Sequence, residues 1–221
     1  MGVDVTLHLG DCLEYMKSMP DKSVDAVITD PPYGVGLGYS LYDDTEENWY
    51  KLMIGFIPEA KRIAEIVILP SCQINRMGWI YNNIPPDWLI SWNKGSTGCS
   101  SKIGFNDWEP LLVYGRRKGV WMHDYFYCAN TEKMGNYGHP CPKPVGWASW
   151  LISKSQSQLI FDPFMGSGTT GVAAIQLGRN FIGCEIVPTY YAIAEKRIKE
   201  ATLQPLLFTS KPIEETQEGL L

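Results

Sequence analysis

Short apolar runs rich in β-branched residues recur along this chain, each stopped by a Gly, Asp or Pro corner, with helix-like stretches between them. Strands alternating with helices predict an open, mostly parallel sheet covered on both faces. Residues 5–9, 24–29, 65–69, 88–92, 110–114, 159–161 and 181–184 read as the strands. Residues 12–19, 45–64, 143–154, 169–177 and 188–201 read as helices. Thr45 is placed to cap the second, with Glu46 and Glu47 in its first turn, and Gly178 to end the fourth. Residues 34–44, rich in Gly, Tyr and Asp, read as a mobile loop. Residues 115–142 carry Gly, Pro, aromatic and basic residues without periodicity, and the tail beyond Pro205 reads as irregular.

In such folds ligands bind outside the carboxyl ends of the strands. The unusual segments of this chain fall at those ends: Gly10-Asp11, Asp30-Pro31-Pro32-Tyr33, the stretch from Asp162 to Thr170, and Glu185.

The last two form a nucleoside signature. Gly166 and Gly168 follow a strand and open a helix, and Glu185 ends the next strand, 19 residues after Gly166. Glycines admit close backbone approach, and a carboxylate so placed accepts hydrogen bonds from ribose hydroxyls. No Lys follows the loop, so it is not a phosphate-binding P-loop. Asp162 beside it would repel a pyrophosphate and welcome a cation. S-adenosylmethionine, with a sulfonium, an amino group and no phosphate, fits that pattern.

Asp30-Pro31-Pro32-Tyr33 supplies a second constellation. An exocyclic amino nitrogen is a poor nucleophile because its lone pair is delocalised into the ring. Acceptors must hold its protons while the nitrogen pyramidalises towards a methyl group. Asp30 offers one, and the Pro31 carbonyl, fixed by Pro32, a second. Tyr33 can stack on a base flipped out of the helix.

Asp30-Pro31-Pro32-Tyr33 and Asp162-Pro163-Phe164-Met165-Gly166-Ser167-Gly168-Thr169-Thr170 together resemble the amino-methyltransferases of DNA. The similarity extends through Leu9-Gly10-Asp11-Cys12, His139-Pro140-Cys141-Pro142-Lys143-Pro144 and Gly183-Cys184-Glu185 with Tyr190-Tyr191, and covers most of residues 5–200. The catalytic motif precedes the cofactor loop, as in that family's permuted β-class. The resemblance implies a Rossmann-like sheet of seven strands, the last antiparallel. It implies Asp11 and Cys12 near the cofactor's adenine, Glu185 and Ile186 at the ribose, Asp30 beside the methyl, and Lys143-Pro144 opening a helix over the methionine end. Asp at the first position of the tetrapeptide goes mostly with adenine N6, and Ser with cytosine N4. Cytosine N4 methylation of DNA, amino-methylation of RNA or protein, and a non-catalytic binding module remain as alternatives.

The expected organisation is a catalytic domain over 1–204, with short recognition insertions near 34–44 and 115–138, and a tail over 205–221. So little room for target recognition implies a short site, weak specificity or a homodimer. A restriction endonuclease partner and the cytoplasm of a bacterial cell or phage-infected host are further implications. Composition bounds these readings. The chain of 221 residues has a net charge of -5, which argues against binding nucleic acid through bulk charge. Positive charge would have to be concentrated locally, and Arg116-Arg117-Lys118, with Lys94 and Lys102, is the candidate nucleic-acid contact. No apolar run approaches the roughly 20 residues of a membrane span, and the N-terminus lacks the regions of a signal peptide.

The six cysteines form no C-x-x-C pair, so reduced thiols are expected. His123, Cys128, His139 and Cys141 match no standard zinc spacing, and no metal is expected. Pro140-Cys141 looks like the nucleophilic pair of enzymes that methylate cytosine carbon 5, but it lacks the partner Glu motif.

Overall fold

A computed structural model describes residues 2–71, 76–95, 104, 106–117, 122–130, 138–139 and 141–203. Its strands are β1 (Val5–Leu9), β2 (Val24–Ile28), β3 (Ala64–Pro70), β4 (Trp88–Asn93), β5 (Trp108–Gly115), β6 (Tyr125–Tyr127), β7 (Leu159–Asp162) and β8 (Asn180–Glu185). Its helices are α1 (Cys12–Ser18), α2 (Glu46–Ile63), α3 (Met77–Asn83), α4 (Val145–Ser155), α5 (Thr169–Gln176) and α6 (Pro188–Leu203).

The strands form one sheet in the order β1-β8-β7-β2-β3-β5-β4-β6. Every pairing is parallel except those of β5 with β3 and β4. Two expectations change. The sheet has eight strands rather than seven, because residues 125–127 add a short edge strand beside β4. Three residues are too few for periodicity to register. The antiparallel strand is β5, fifth along the chain and inserted between β3 and β4, not the last. An antiparallel neighbour needs no crossover helix, which suits the β4–β5 connection.

Helices cover both faces. One core joins Ile28, Ile68, Trp92 and Phe126 of the sheet to Trp147, Leu151 and Ile152 of α4 and Ala173, Ala174 and Ile198 of α5 and α6. The other joins Val27, Val67, Leu112 and Tyr114 to Met16 of α1, Met53, Phe56 and Ile57 of α2 and Ile80 of α3. The central strands are buried on both faces, which is why they read as continuous apolar runs rather than alternating ones. Burial of each large side chain contributes about 1.5–3 kcal/mol. The short α3 was not expected: its buried apolar contact is Ile80, so it lacks a repeating stripe. No helix among the described residues is long and apolar enough to cross a membrane.

The direction of β5 relocates the basic run. Because β5 runs against its neighbours, its end lies at the amino ends of β2 and β3, opposite the carboxyl-end corners. There Arg117 bridges Asp25 on β2 at 3.2 Å and Glu65 on β3 at 3.0 Å, and donates to the carbonyl of Gln156 at 2.6 Å. Arg117 therefore clamps strand starts together. Arg116 is exposed at that same end, and Lys118 and Lys102 lie outside the described residues. Arg116 and Arg117 are thus not brought to the carboxyl-end corners.

Arg117→Ala removes this clamp and leaves two carboxylates without their partner. We expect it to lower unfolding stability by about 1–3 kcal/mol, read from the midpoint of urea denaturation.

Candidate active site

Asp30 follows β2, where Pro31 and Pro32 forbid further ladder pairing. Its Oδ2 lies 2.8 Å from Nζ of Lys143, which precedes α4. Its Oδ1 is buried and has no hydrogen-bond partner. Lys143 is 8% exposed, and its ammonium sits 4.8 Å from the centre of the Tyr33 ring. Burial disfavours the Lys143 charge, but the Asp30 and Glu109 carboxylates outweigh it and hold the pKa above the usual lysine value. The Tyr33 hydroxyl donates to Glu109 Oε1 at 2.7 Å, and Lys94 Nζ lies 3.4 Å from Glu109 Oε2. Burial, then the Asp30 and Glu109 carboxylates, push the Tyr33 phenol up, so it stays a neutral donor.

The chain after Tyr33 is fastened rather than loose. The Asp44 carboxylate accepts from the backbone amides of Gly34 at 2.5 Å, Val35 at 3.1 Å and Leu37 at 3.0 Å. Arg76 donates to the carbonyls of Tyr33 and Gly34, and its guanidinium lies 4.8 Å from the centre of the Trp49 ring. Gly34 has φ +64, and a Cβ there would meet Trp49, Arg76 and the Thr45 carbonyl within 3 Å. The mobile loop expected over 34–44 is thus a bonded turn.

The second corner lies beside the first, because β7 pairs with β2. Asp162, 3% exposed, accepts from the Thr29 hydroxyl at 2.5 Å and from the Phe164 amide at 3.1 Å. Burial pushes its pKa up to about 7, against the lowering by Thr29, Thr170 and the Phe164 amide; the nearby Asp30 adds to the rise. Glu185 accepts from the Gly166 amide at 2.9 Å and the Val187 amide at 2.8 Å, so one carboxylate holds both turns. Each of its oxygens keeps a second lone pair. Arg197 braces the loop through the Ser167 carbonyl at 2.5 Å.

The loop glycines have their own reasons. Gly166 has φ +50, and a Cβ there would lie 2.7 Å from the His139 ring. Gly168 has φ +80, and a Cβ would lie 2.9 Å from Ala194 on α6. Left-handed backbone and helix packing therefore demand glycine here directly.

A cavity joins the two corners. Of the residues read from sequence, Asp30, Pro32, Lys143, Asp162, Phe164, Met165, Gly166, Ser167, Thr169, Thr170, Glu185 and Ile186 line it. Pro31, Tyr33, Asp11, Cys12, Pro144, Pro163 and Gly168 do not line it. Asp11 instead caps α1, accepting from the Leu13 amide at 2.7 Å and the Glu14 amide at 3.3 Å. Pro144 is the N-cap residue of α4.

Sequence reasoning did not assign Tyr39, Tyr42, Trp147, Val187 or Tyr190 to the wall, nor His139, Cys141 and Pro142 individually. The quoted similarity over 139–144 and at Tyr190 was a signal for four of these; nothing local marks Tyr39 or Tyr42. His139 stands edge-on to Tyr190 at 4.8 Å, and burial, then Lys143 and Arg197, push its pKa down to about 4, so it is neutral.

Four buried polar groups on this wall have no hydrogen-bond partner: Asp30 Oδ1, the Tyr42 hydroxyl, the Trp147 indole N–H and the Thr169 hydroxyl. Such a group left unsatisfied costs about 1–3 kcal/mol. The wall thus offers acceptors and donors to a polar ligand, with carboxylates where a cation and a ribose would lie. Among the described residues no group of three or more His, Cys, Asp or Glu side chains is placed to hold a metal ion.

A family model for DNA methylases matches residues 91–196. The chain is 28% identical to the type II methyltransferase M.HinfI of Haemophilus influenzae, over 90% of this chain and 70% of that one. It is 26% identical to the putative methylase YubD of Escherichia coli K12, over 86% and 88% of the two chains. The solved M1.HpyAVI–SAM complex superposes with a TM-score of 0.67 at 23% identity, covering 88% of this chain and 98% of that one. The cytosine-N4-specific PvuII DNA methyltransferase also gives 0.67, at 17% identity, over 92% and 93%. These superpositions show the Rossmann-like fold of such methyltransferases.

The raised pKa of Asp162 fixes a pH dependence. The folded protein holds this proton up to about pH 7, whereas an unfolded Asp releases it near pH 4. The folded state binds more protons in that window, so the contribution of Asp162 to stability is full below about pH 4 and declines as pH rises through 7. Asp162→Asn keeps both hydrogen bonds to the side-chain oxygen and should flatten that decline in Tm between pH 5 and pH 8. An unchanged slope would show that Asp162 titrates normally.

Proposed function

We propose that the chain is a β-class DNA amino-methyltransferase that transfers a methyl group from S-adenosylmethionine to the exocyclic amino group of an extruded DNA base, adenine N6. The observation that carries this reading is the unpartnered Asp30 Oδ1 on the wall of the cavity. The bound cofactor supplies a methyl group activated by its sulfonium. Glu185 turns its remaining lone pairs to the ribose hydroxyls. Asp162, once ionised, would attract the cationic methionine end, and the Thr169 hydroxyl would supply a further polar contact. Asp30 Oδ1 accepts one N–H of the target amine and the Pro31 carbonyl the other, which drives lone-pair density onto the nitrogen. Lys143 holds the other Asp30 oxygen, so the carboxylate is oriented before the base arrives. Positioning is the main requirement, because the leaving group is already good.

Asp rather than Ser at position 30 supports adenine over cytosine. Residues 1–204 form the catalytic unit in this reading, with recognition by 34–44 and 115–138; 205–221 lies outside the described residues. A short recognition apparatus fits a homodimer, an endonuclease cutting the same site and a cytoplasmic location.

Unmodified genomic DNA incubated with the protein and S-adenosylmethionine, then digested and analysed by mass spectrometry, should yield N6-methyladenine. N4-methylcytosine instead would overturn the choice of base, and methylation of structured RNA alone would overturn the choice of polymer. Asp30→Ala should slow transfer by at least about 10²-fold while calorimetry still detects cofactor binding. An active Asp30→Ala variant would refute the role given to Asp30.

A further inference from the structure

Glu109 belongs to none of the motifs that mark this chain, yet the sheet delivers it to the site. It is the second residue of β5, and the reversed direction of that strand puts its start, rather than its end, beside the carboxyl-end corners. The residue is 6% exposed. One carboxylate oxygen accepts the Tyr33 hydroxyl at 2.7 Å, and the other lies 3.4 Å from Lys94. A buried carboxylate with no cation would be costly, and Lys94 at the end of β4 offsets its charge. Lys143 meanwhile sits over the Tyr33 ring while it grips Asp30.

We propose that Glu109 is a positioning residue for methyl transfer: it anchors the Tyr33 phenol so that the ring is set as a stacking platform beside Asp30 before the base arrives. This rests on the reading of the site as a DNA base amino-methyltransferase. A phenol ring hinged only at its Cβ can swing about two side-chain torsions, and a stacked base swings with it. Fixing the hydroxyl at the far end removes that freedom. The Asp30 carboxylate and the Tyr33 ring then share one frame, tied to α4 by Lys143 and to β5 by Glu109. A base laid on the ring presents its amino group to Asp30 Oδ1 without a further search, which is the orientation effect that lowers such barriers. The Glu109 bond would act on the extruded base rather than on the cofactor, which the residues after β7 and β8 would hold.

The test is a double-mutant cycle of Glu109→Ala and Tyr33→Phe, with Glu109→Gln as the conservative variant that keeps an acceptor oxygen. The substrate is unmodified genomic DNA, and kcat, KM for DNA, cofactor Kd and Tm are measured for each. Glu109→Ala should lower kcat by about tenfold or more, as expected for one charge-assisted hydrogen bond, with cofactor Kd unchanged. Glu109→Gln should restore much of that loss. In the Tyr33→Phe background, which already lacks the hydroxyl, Glu109→Ala should have little further effect. If Glu109→Ala does not fold, Glu109→Leu, which fills similar volume and has no acceptor, takes its place in the cycle. Equal losses from the Glu109 variant in both backgrounds, or wild-type kcat in Glu109→Ala, would overturn the positioning role while leaving the methyltransferase reading standing. No transfer by the wild-type protein to any DNA would instead remove the reading beneath it, and the role with it.

Discussion

The ion pair between Asp30 and Lys143 is the constraint on which the site depends. It joins the corner after β2 to the start of α4, two segments more than a hundred residues apart in sequence. A buried ion pair is a poor source of net stability, since desolvation offsets most of its attraction. Its value here is directional. Lys143 satisfies one oxygen of Asp30 and leaves the other buried without a partner. A solvated Asp30 would rotate and meet water. This one is held by Lys143 through one oxygen, and its other oxygen is a buried acceptor whose hydrogen bond is unmet.

The surroundings hold that geometry from several sides. Asp44 gathers three amides of the turn after Tyr33, Arg76 holds two of its carbonyls, and Glu185 ties the glycine loop to the start of the next turn. These contacts bond backbone rather than ligand, so the frame is set before anything binds. Tyr39 and Tyr42 ride on the fastened turn, and both reach the wall of the cavity. The 34–44 segment therefore contributes to the cavity itself, in addition to any part it takes in target recognition.

What could be read from sequence follows from what is local. The corners after β2 and β7 were legible because Pro, Gly and Asp declare their backbone needs to their immediate neighbours. The strands were legible because burial on both faces leaves unbroken apolar runs. The place of Arg117 was not legible, because a run of basic residues says nothing about strand direction, and β5 carries it to the far end of the sheet from the cavity. The same reversal brings Glu109 beside Tyr33, so one topological fact hid both positions. Tyr39 and Tyr42 carry no local mark at all, since they reach the cavity only through the turn held by Asp44. At Gly166 and Gly168 the residue type was read correctly, yet His139 and α6 supply reasons that no pattern of spacing reveals.

The charge of the protein takes a different meaning once the pairs are drawn. A net charge of -5 is unfavourable for a partner made of phosphates. Among the described residues the cations nearest the corners do not form an exposed basic patch: Lys143 is matched to Asp30, Lys94 to Glu109, and Arg76 donates to backbone carbonyls. The cavity wall therefore carries no unmatched cation among the residues that line it, and it presents carboxylates, aromatic rings and polar groups. Such a surface is suited to a base taken out of its helix, which is uncharged, flat and rich in donors and acceptors, and poorly suited to a phosphate backbone. On the proposed function, attraction to a duplex and recognition of an extruded base would be separate tasks, and the described corners would serve the second.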